Sequence, residues 1–240
     1  MKRICIINPI TTLEFEEGTK REVAVYSSND VKIEVVTVTR GPASIECRFD
    51  EALAVPGVLE KIKEVESKAD AIVVNCFGDP GVEAAREITR VPVIGPGETS
   101  MLLATLYGHR FSVVTVLDRL APIIEDITLK SGIRNKLASV RAAGIPVLDL
   151  EKDLERLMNI LAKEAVCAVE QDGAHVIVLG CTGMAGLGNR VNSFLREKGY
   201  DVPVIDPVAV AIKVAVLSAT LGLTHSGLTY PAPPDKPRVW

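Results

Sequence analysis

The chain has 240 residues, of which 48% are hydrophobic and 24% charged, and its formal net charge is −4. This size and apolar content suffice for a full globular core, either as one domain or as two lobes of similar size. The acidic balance offers no basic surface for a nucleic acid or an anionic membrane, and no apolar run approaches the ~20 residues that cross a bilayer. We therefore expect a small-molecule substrate as the partner, with no nucleic acid and no membrane.

The first half of the chain alternates strand-like and helix-like segments. Apolar, β-branched runs predict the strands, and apolar residues at helical spacing predict the helices. Beginning with a strand, the segments are Arg3–Asn8, Glu16–Ser27, Lys32–Thr39, Asp50–Lys68, Ala69–Asn75, Gly81–Thr89 and Val91–Ile94. This alternation is typical of a parallel sheet covered by helices.

The same order of elements repeats in the second half, after a short predicted helix at Glu98–Leu106. Again beginning with a strand, the segments are His109–Val116, Asp118–Ser131, Ala138–Ala142, Glu151–Asp172, Ala174–Gly180, Leu187–Lys198 and Val202–Ile205, and a last helix follows at Val208–Leu221. A proline-rich tail runs from Thr224 to the end.

The repeat predicts an α/β fold of two pseudo-symmetric, Rossmann-like lobes with parallel sheets and with the active site in the cleft between them. Because the last helix follows a strand of the second lobe, we expect the chain to cross back. The first lobe is then residues 1–96 plus 208–240, and the second lobe is residues 97–207.

The two halves share a sequence motif that contains a cysteine. An apolar run ends in Cys76 in the first half, and another ends in Cys181 in the second. Each cysteine leaves a strand and enters a glycine-containing turn before a helix, where backbone N–H groups stabilise a thiolate. If the halves face each other, two thiols oppose one another over one cleft. That arrangement suits the transfer of a proton on either face of a carbon.

The cysteines also have structural interpretations. Five cysteines without a CxxC pair do not resemble a disulfide framework, and the three histidines lie at no metal-ligand spacing. With no secretory signal at the start of the chain, a reducing cytoplasm is the expected setting. A single cysteine is often a core residue, which is our interpretation of Cys5 and Cys167. The role of Cys47 stays open, because its segment follows the second predicted strand and can reach over the cleft.

Other polar groups at the predicted strand ends are candidates for substrate binding. The candidates are Asn8, Gly78, Asp79, Thr115, Thr182 and Gly183. Backbone N–H groups of the turns after the cysteines can hold a carbonyl oxygen as it gains enolate charge. A turn or capping role is the alternative for Asp79, Asn8 and Thr115, and Glu98 is expected to cap a helix.

Asn75–Gly81 and Leu179–Gly186 resemble the paired cysteine motifs of the aspartate/glutamate/hydantoin racemase superfamily. Its hydantoin branch is the most similar, with the allantoin branch beside it, and the similarity covers nearly the whole chain. The resemblance implies a cofactor-independent, two-base racemisation of 5-monosubstituted hydantoins at C5, with no metal. Cys76 and Cys181 are then the acid/base pair, and the ring carbonyls and nitrogens are held by Asn8, Gly78, Thr115, Thr182 and Gly183. A homo-oligomer also follows from the family tendency.

Three alternatives stay open at this point. Allantoin as substrate differs only in the C5 substituent. An Asp/Glu-type amino-acid racemase would need charged partners for a carboxylate and an ammonium, and those branches usually follow the first cysteine with Asn-Thr, where this chain has Phe77-Gly78. A two-lobed binding protein would close on its ligand without chemistry, but the matched thiols argue against it.

Overall fold

The computed structural model describes residues 1–238, which form two compact units. The first unit comprises Met1–Ile45, Phe49–Gly95 and the described residues from Ala211 onwards, and the second comprises Glu46–Arg48 and Pro96–Val210. Each unit contains one four-stranded sheet in which every pairing is parallel. The predicted α/β class with two parallel-sheet lobes is confirmed. No helix within residues 1–238 has the length and apolarity of a membrane span.

The sheet of the first unit has the strand order β2-β1-β3-β4. Its strands are β1 (Lys2–Asn8), β2 (Val31–Thr37), β3 (Ala71–Val74) and β4 (Val93–Ile94). Its helices are α1 (Glu14–Val23), nearly all of α2 (Arg48–Val65), α3 (Val82–Ile88) and most of α8 (Pro207–Leu221). Strand β3 is buried at every position, as expected for an interior strand of a parallel sheet.

The core of the first unit forms where α2 and α3 cover the central strands. Fully or almost fully buried side chains of these elements include Ile7, Val58, Ile62, Ile72, Val74, Val82 and Ala85. Their burial removes the apolar face of both helices from water, which stabilises the unit by roughly 1.5–3 kcal/mol for each large aliphatic side chain.

The proline-rich tail bonds to the outer edge of this sheet. The Val93 N–H donates to Nε2 of His225 at 2.8 Å, and Nε of Arg86 donates to the Val93 carbonyl at 3.2 Å. Arg86 also donates from Nη1 to the Tyr230 hydroxyl at 3.2 Å. Both backbone polar groups of Val93, on the edge strand β4, are therefore bonded to side chains.

The sheet of the second unit has the order β6-β5-β7-β8. Its strands are β5 (Phe111–Thr115), β6 (Leu137–Ala142), β7 (Val176–Leu179) and β8 (Val204–Ile205), and its helices are α4 (Pro96–Tyr107), α5 (Ala121–Lys130), α6 (Leu154–Glu170) and α7 (Gly188–Glu197). Helix α6 packs its buried residues Leu157, Leu161, Ala165 and Ala168 into the core. The two units share one strand order, with β5 to β8 corresponding to β1 to β4.

The segment Glu46–Arg48 belongs to the second unit, although the chain on both sides of it belongs to the first. Oε1 of Glu46 accepts from the Val147 N–H at 2.9 Å, and Nη2 of Arg48 donates to Oδ2 of Asp126 at 2.6 Å. Cys47 lies between these two anchored residues and is partly exposed. The hydrophobic pattern of the sequence gives no sign of this placement.

A network of polar side chains in the second unit is centred on Asp172. Its Oδ2 accepts from Nε of Arg141 at 2.6 Å and from the Ser139 hydroxyl at 2.6 Å. Arg141 also pairs with Glu164 at 3.1 Å. The hydrogen bond from Arg141 holds the pKa of the Asp172 carboxyl below its usual value, and the same bond raises the pKa of Arg141.

We expect Asp172→Asn to lower the free energy of unfolding by about 1–3 kcal/mol at pH 7, the usual size for a hydrogen bond to a charged group. The native carboxylate contributes this stability above the ordinary carboxyl pKa of about 4, and the contribution is lost as the pH falls through the lower pKa of the folded state. Urea unfolding between pH 7 and 3 measures it. The highly exposed Asp201, paired with Arg196 at 3.8 Å, provides the control variant Asp201→Asn. A wild type and D172N that lose stability in parallel on acidification would contradict the assignment.

Candidate active site

Cys76 lies two residues beyond β3, in a tight turn. The N–H of Asn75 still follows the ladder and donates to the Ile7 carbonyl at 2.8 Å, whereas the Cys76 N–H turns back to the Val74 carbonyl at 2.8 Å. The Asp79 N–H then donates to the Cys76 carbonyl at 3.0 Å. Asp79 has φ +53°, in the left-handed region that Asp and Asn tolerate better than most residues. The strand therefore ends sharply at the thiol.

The last residue of β1 supports this turn from the neighbouring strand. Asn8 is 2% exposed, and its Oδ1 accepts from Nδ2 of Asn75 at 2.9 Å. Its Nδ2 donates to the Thr19 hydroxyl at 3.3 Å, which connects it to α1. The side chain of the residue before Cys76 is thus held by a buried amide.

Cys181 occupies the corresponding position two residues beyond β7. The Gly180 N–H donates to the Val114 carbonyl at 2.8 Å, as Asn75 does in the first unit, and the Met184 N–H donates to the Cys181 carbonyl at 3.1 Å. Thr115, the last residue of β5, is fully buried and donates from Oγ1 to the Gly180 carbonyl at 3.0 Å. Both units therefore hold the residue before the cysteine with a buried polar side chain.

Gly180 is required by the close approach of β7 to β5. A Cβ at this position would lie 2.6 Å from Cγ1 of Val113 and 2.9 Å from Cβ of Thr115. Contacts this short do not occur for real Cβ atoms, so either the strand or the turn with Cys181 would have to move. The first unit has Asn75 at the corresponding place, and its side chain takes part in the support instead.

The structure brings the predicted site residues together within each unit. Asn8, Cys76, Gly78 and Asp79 lie at the carboxyl ends of β1 and β3, and Thr115, Cys181, Thr182 and Gly183 lie at those of β5 and β7. Gly78, Thr182 and Gly183 are partly exposed, and the backbone of Gly183 passes beside the thiol, since a Cβ there would lie 3.6 Å from Sγ of Cys181. The burial of Asn8 and Thr115 favours a supporting role. Direct contact of these two side chains with a substrate stays a prediction.

Sequence reasoning missed Asp206, the residue that follows β8. Its Oδ2 accepts from the Gly186 N–H at 2.7 Å, in the turn after Cys181. A signal for it exists in the repeat, because Val-Ile-Gly-Pro at 93–96 becomes Val-Ile-Asp-Pro at 204–207. An aspartate that stands where the other half has glycine indicates a polar contact at this position in the second half.

The remaining cysteines differ in exposure. All five cysteines in the described residues are thiols rather than disulfides. Cys5 is 5% exposed within β1, and burial, followed by the nearby Glu34 carboxylate, raises the pKa of its thiol to about 12. Cys47 and Cys167 are partly exposed. Among residues 1–238, no three His, Cys, Asp or Glu side chains converge in a group able to hold a metal ion.

We expect Cys5 to resist alkylation by iodoacetamide in the folded protein, because only the thiolate reacts and its raised pKa suppresses ionisation at pH 8. Peptide mapping by mass spectrometry after timed labelling measures this, with Cys47 as the partly exposed internal comparison. Labelling in urea should make the two equal. Native labelling of Cys5 at the rate of Cys47 would contradict the expectation.

Comparison with known proteins agrees with this arrangement. Residues 4–215 match the model of the Asp/Glu/hydantoin racemase family. Over 239 residues the chain is 41% identical to a hydantoin racemase from Pseudomonas sp. (strain NS671), covering 99% of this chain and 94% of that protein. The resemblance found in the two cysteine motifs is thereby confirmed.

Solved structures give the same result. The allantoin racemase from Klebsiella pneumoniae superposes with a TM-score of 0.91 at 37% identity, covering 98% of this chain and 95% of that one. The allantoin racemase from Pseudomonas fluorescens superposes with a TM-score of 0.92 at 35% identity, covering 99% and 100%. With its parallel sheets, its two cysteine turns and these relatives, the chain belongs to the Asp/Glu/hydantoin racemase family and is an isomerase of the racemase type.

Proposed function

We propose that this protein racemises 5-monosubstituted hydantoins at C5, with Cys76 and Cys181 as the two acid/base groups. The observation that carries the proposal is the equivalence of the two cysteines. Each lies two residues beyond the strand β3 or β7, at the carboxyl end of a parallel sheet, where α/β proteins bind their ligands. The 41% identity to a hydantoin racemase over nearly the whole chain supports the substrate class.

In the proposed reaction, one thiolate removes the C5 proton and the C–H electron pair moves into the adjacent ring carbonyl, which becomes an enolate. The other cysteine then gives its S–H proton to the opposite face of C5 as the carbonyl re-forms. Backbone N–H groups of Gly78, Thr182 and Gly183 are proposed to hold the ring oxygens, which stabilises the developing negative charge. After one turnover the two sulfurs have exchanged protonation states, so they serve opposite enantiomers.

This chemistry needs neither a metal nor an organic cofactor, because the carbonyl beside C5 acidifies the C–H bond and the thiols supply both proton transfers. It does require that both sulfurs stay reduced. We therefore place the enzyme in a reducing compartment such as the cytoplasm.

Allantoin is the second candidate substrate, and the two allantoin racemase structures at 35–37% identity favour it specifically. Allantoin has the same ring with a ureido group at C5, so the two thiols would do the same chemistry. The difference lies in the polarity of the groups that receive the C5 substituent.

The test is the loss of optical rotation of enantiopure 5-benzylhydantoin in D2O, followed together with deuterium entry at C5 by NMR. We expect rotation to decay to zero while deuterium enters, at a rate well above that of the buffer and of a Cys76→Ser/Cys181→Ser double variant. Faster decay with allantoin would assign that substrate instead. Activity on free aspartate or glutamate alone would indicate an amino-acid racemase. If the protein racemises none of these compounds but still binds one of them, the binding-protein alternative is favoured.

We also propose that the protein is a homo-oligomer. Helix α4 exposes three large apolar side chains, Leu102, Leu106 and Tyr107, of which Leu106 is 78% exposed. Exposed apolar clusters on a helix are typical of subunit interfaces. Light scattering after gel filtration measures the mass, and Leu106→Glu should lower it if α4 forms the interface. A wild-type monomer would refute the proposal.

A further inference from the structure

A single carboxylate connects the cysteine turn of the second unit to the start of a helix. Oδ1 of Asp206 accepts from the N–H groups of Val208 and Ala209, at 3.0 and 3.3 Å, and so caps α8. Its Oδ2 accepts from the Gly186 N–H at 2.7 Å, five residues after Cys181. The turn that carries the thiol is therefore fastened to the residue at the end of β8.

The first unit also has a carboxylate in the corresponding place, but it belongs to the turn with the cysteine and not to the residue after the last strand. The residue after β4 is Gly95, which corresponds to Asp206 in the repeat. The Asp79 carboxylate lies directly over it, since a Cβ on Gly95 would be 2.4 Å from Cγ of Asp79 and 2.6 Å from each of its oxygens. In the first unit, therefore, the turn with Cys76 carries the carboxylate, and Gly95, which has no side chain, leaves room for it.

We infer that Asp79 and Asp206 are positioning residues, each of which fixes the turn that carries one thiol. The inference rests on the proposed two-thiol racemisation. In each unit a backbone hydrogen bond links the carboxylate to the turn with the thiol. In the first unit the Asp79 N–H donates to the Cys76 carbonyl at 3.0 Å. In the second unit the Met184 N–H, two residues before the Gly186 that Asp206 binds, donates to the Cys181 carbonyl at 3.1 Å. Displacing either carboxylate therefore displaces the adjacent sulfur from its line of attack on C5.

The arrangement predicts that variants of the two carboxylates lose deuterium exchange with opposite enantiomers of the substrate. Each carboxylate supports one thiol, and each thiol removes the proton from one enantiomer only. Misplacing Cys181 leaves Cys76 able to remove a proton and return a solvent deuteron to the same face. The enantiomer that Cys76 deprotonates then exchanges without inversion, whereas the other enantiomer reacts slowly. When Cys76 is misplaced, the enantiomer that Cys181 deprotonates exchanges without inversion, and the other enantiomer reacts slowly.

Asparagine is the informative substitution at both positions. In Asp206→Asn, the single amide oxygen can cap α8 but cannot also accept from Gly186, and Asn is a good helix cap. In Asp79→Asn, the left-handed backbone is tolerated, so only the carboxylate changes. Asp153→Asn is the matched control, because Asp153 caps α6 of the second unit by accepting from the Arg156 N–H at 2.9 Å and supports neither cysteine turn.

The experiment follows inversion and deuterium entry separately, starting from each enantiomer of 5-benzylhydantoin, or of allantoin if that is the substrate. We expect D206N to lower the racemisation rate by roughly ten- to a hundredfold, as for loss of one charge-assisted hydrogen bond. We expect D79N to lower the rate as well, because it removes the charge of the carboxylate that lies over Gly95. D206N should exchange the same enantiomer as Cys181→Ser, and D79N the same as Cys76→Ser. D153N should match the wild type.

Two outcomes would overturn the inference while the wild type stays active: deuterium entry slowed equally for both enantiomers, or rates like those of D153N. Inversion itself must slow equally in both directions, because the two enantiomers are equally stable. A wild type that racemises neither compound would overturn the proposed function itself, and this inference with it. Circular dichroism melts verify folding. If D206N does not fold, Asp206→Ser makes the same comparison, because serine caps α8 but is too short to reach Gly186 as well.

Discussion

Replacing either candidate thiol by a hydroxyl should abolish racemisation. We expect Cys76→Ser and Cys181→Ser each to lower kcat/KM by roughly 10²–10⁴-fold, the range that one positioned acid/base group contributes. A serine hydroxyl is too weak an acid to replace a thiol at neutral pH. Both residues are partly exposed, so the exchange of one atom should leave the thermal midpoint nearly unchanged. Polarimetry on enantiopure substrate gives the rate, and a calorimetric melt gives the stability.

Cys47→Ser and Cys167→Ser are the matched controls, since they make the same chemical change at two other partly exposed cysteines. Both should retain wild-type racemisation. If Cys76→Ser racemises at the wild-type rate, the two-thiol mechanism is wrong. If Cys47→Ser loses activity to the same extent, the acid/base pair has been assigned to the wrong residues.

The second large effect is expected at Gly180. A methyl group here meets Val113 at 2.6 Å and Thr115 at 2.9 Å, inside a buried strand end. We expect Gly180→Ala to lower the free energy of unfolding by about 1–3 kcal/mol, the usual cost of overpacking a core. Because Cys181 is the next residue, racemisation should fall together with stability. Urea unfolding and polarimetry on the same preparation measure both effects.

Gly188→Ala provides the control in the same unit. Gly188 is the first residue of α7, and an added Cβ would meet nothing closer than Cβ of Asp206 at 3.6 Å, an ordinary contact. Alanine is the better helix former, so stability should stay within about 0.5 kcal/mol or rise slightly. Equal destabilisation by G180A and G188A would show that the close approach of β7 and β5 is not the cause.

Much of the fold could be predicted because the interior strands carry an unmistakable signal. Ala71–Val74 and Val176–Leu179 are continuous apolar runs, and parallel strands buried on both faces require such runs. The cysteines could be located for the same reason, since each stands where an apolar run meets a glycine-containing turn. The repeat then assigned both to the same position without any knowledge of long-range contacts.

The supports of the site were not predictable in this way. The bond between Asp206 and Gly186 and the attachment of Glu46 to the second unit join polar residues that are distant in sequence, and such contacts have no periodic signature. Asn8 and Thr115 were located correctly at strand ends, but a polar residue at a strand end looks the same in sequence whether its side chain points to a ligand or into the protein. Their burial is visible only in the structure.

The bonds to Val93 have a consequence for how copies of this protein can associate. An open edge strand invites another chain to add a strand by pairing with its free N–H and C=O groups. In β4 the His225 imidazole and the Arg86 guanidinium already occupy both groups of Val93, so together they substitute for a fifth strand. Association through β4 would first require both side chains to leave Val93, His225 together with the tail and Arg86 by itself. Continuous-sheet growth between copies of the chain is therefore blocked at this edge while these two side chains stay in place.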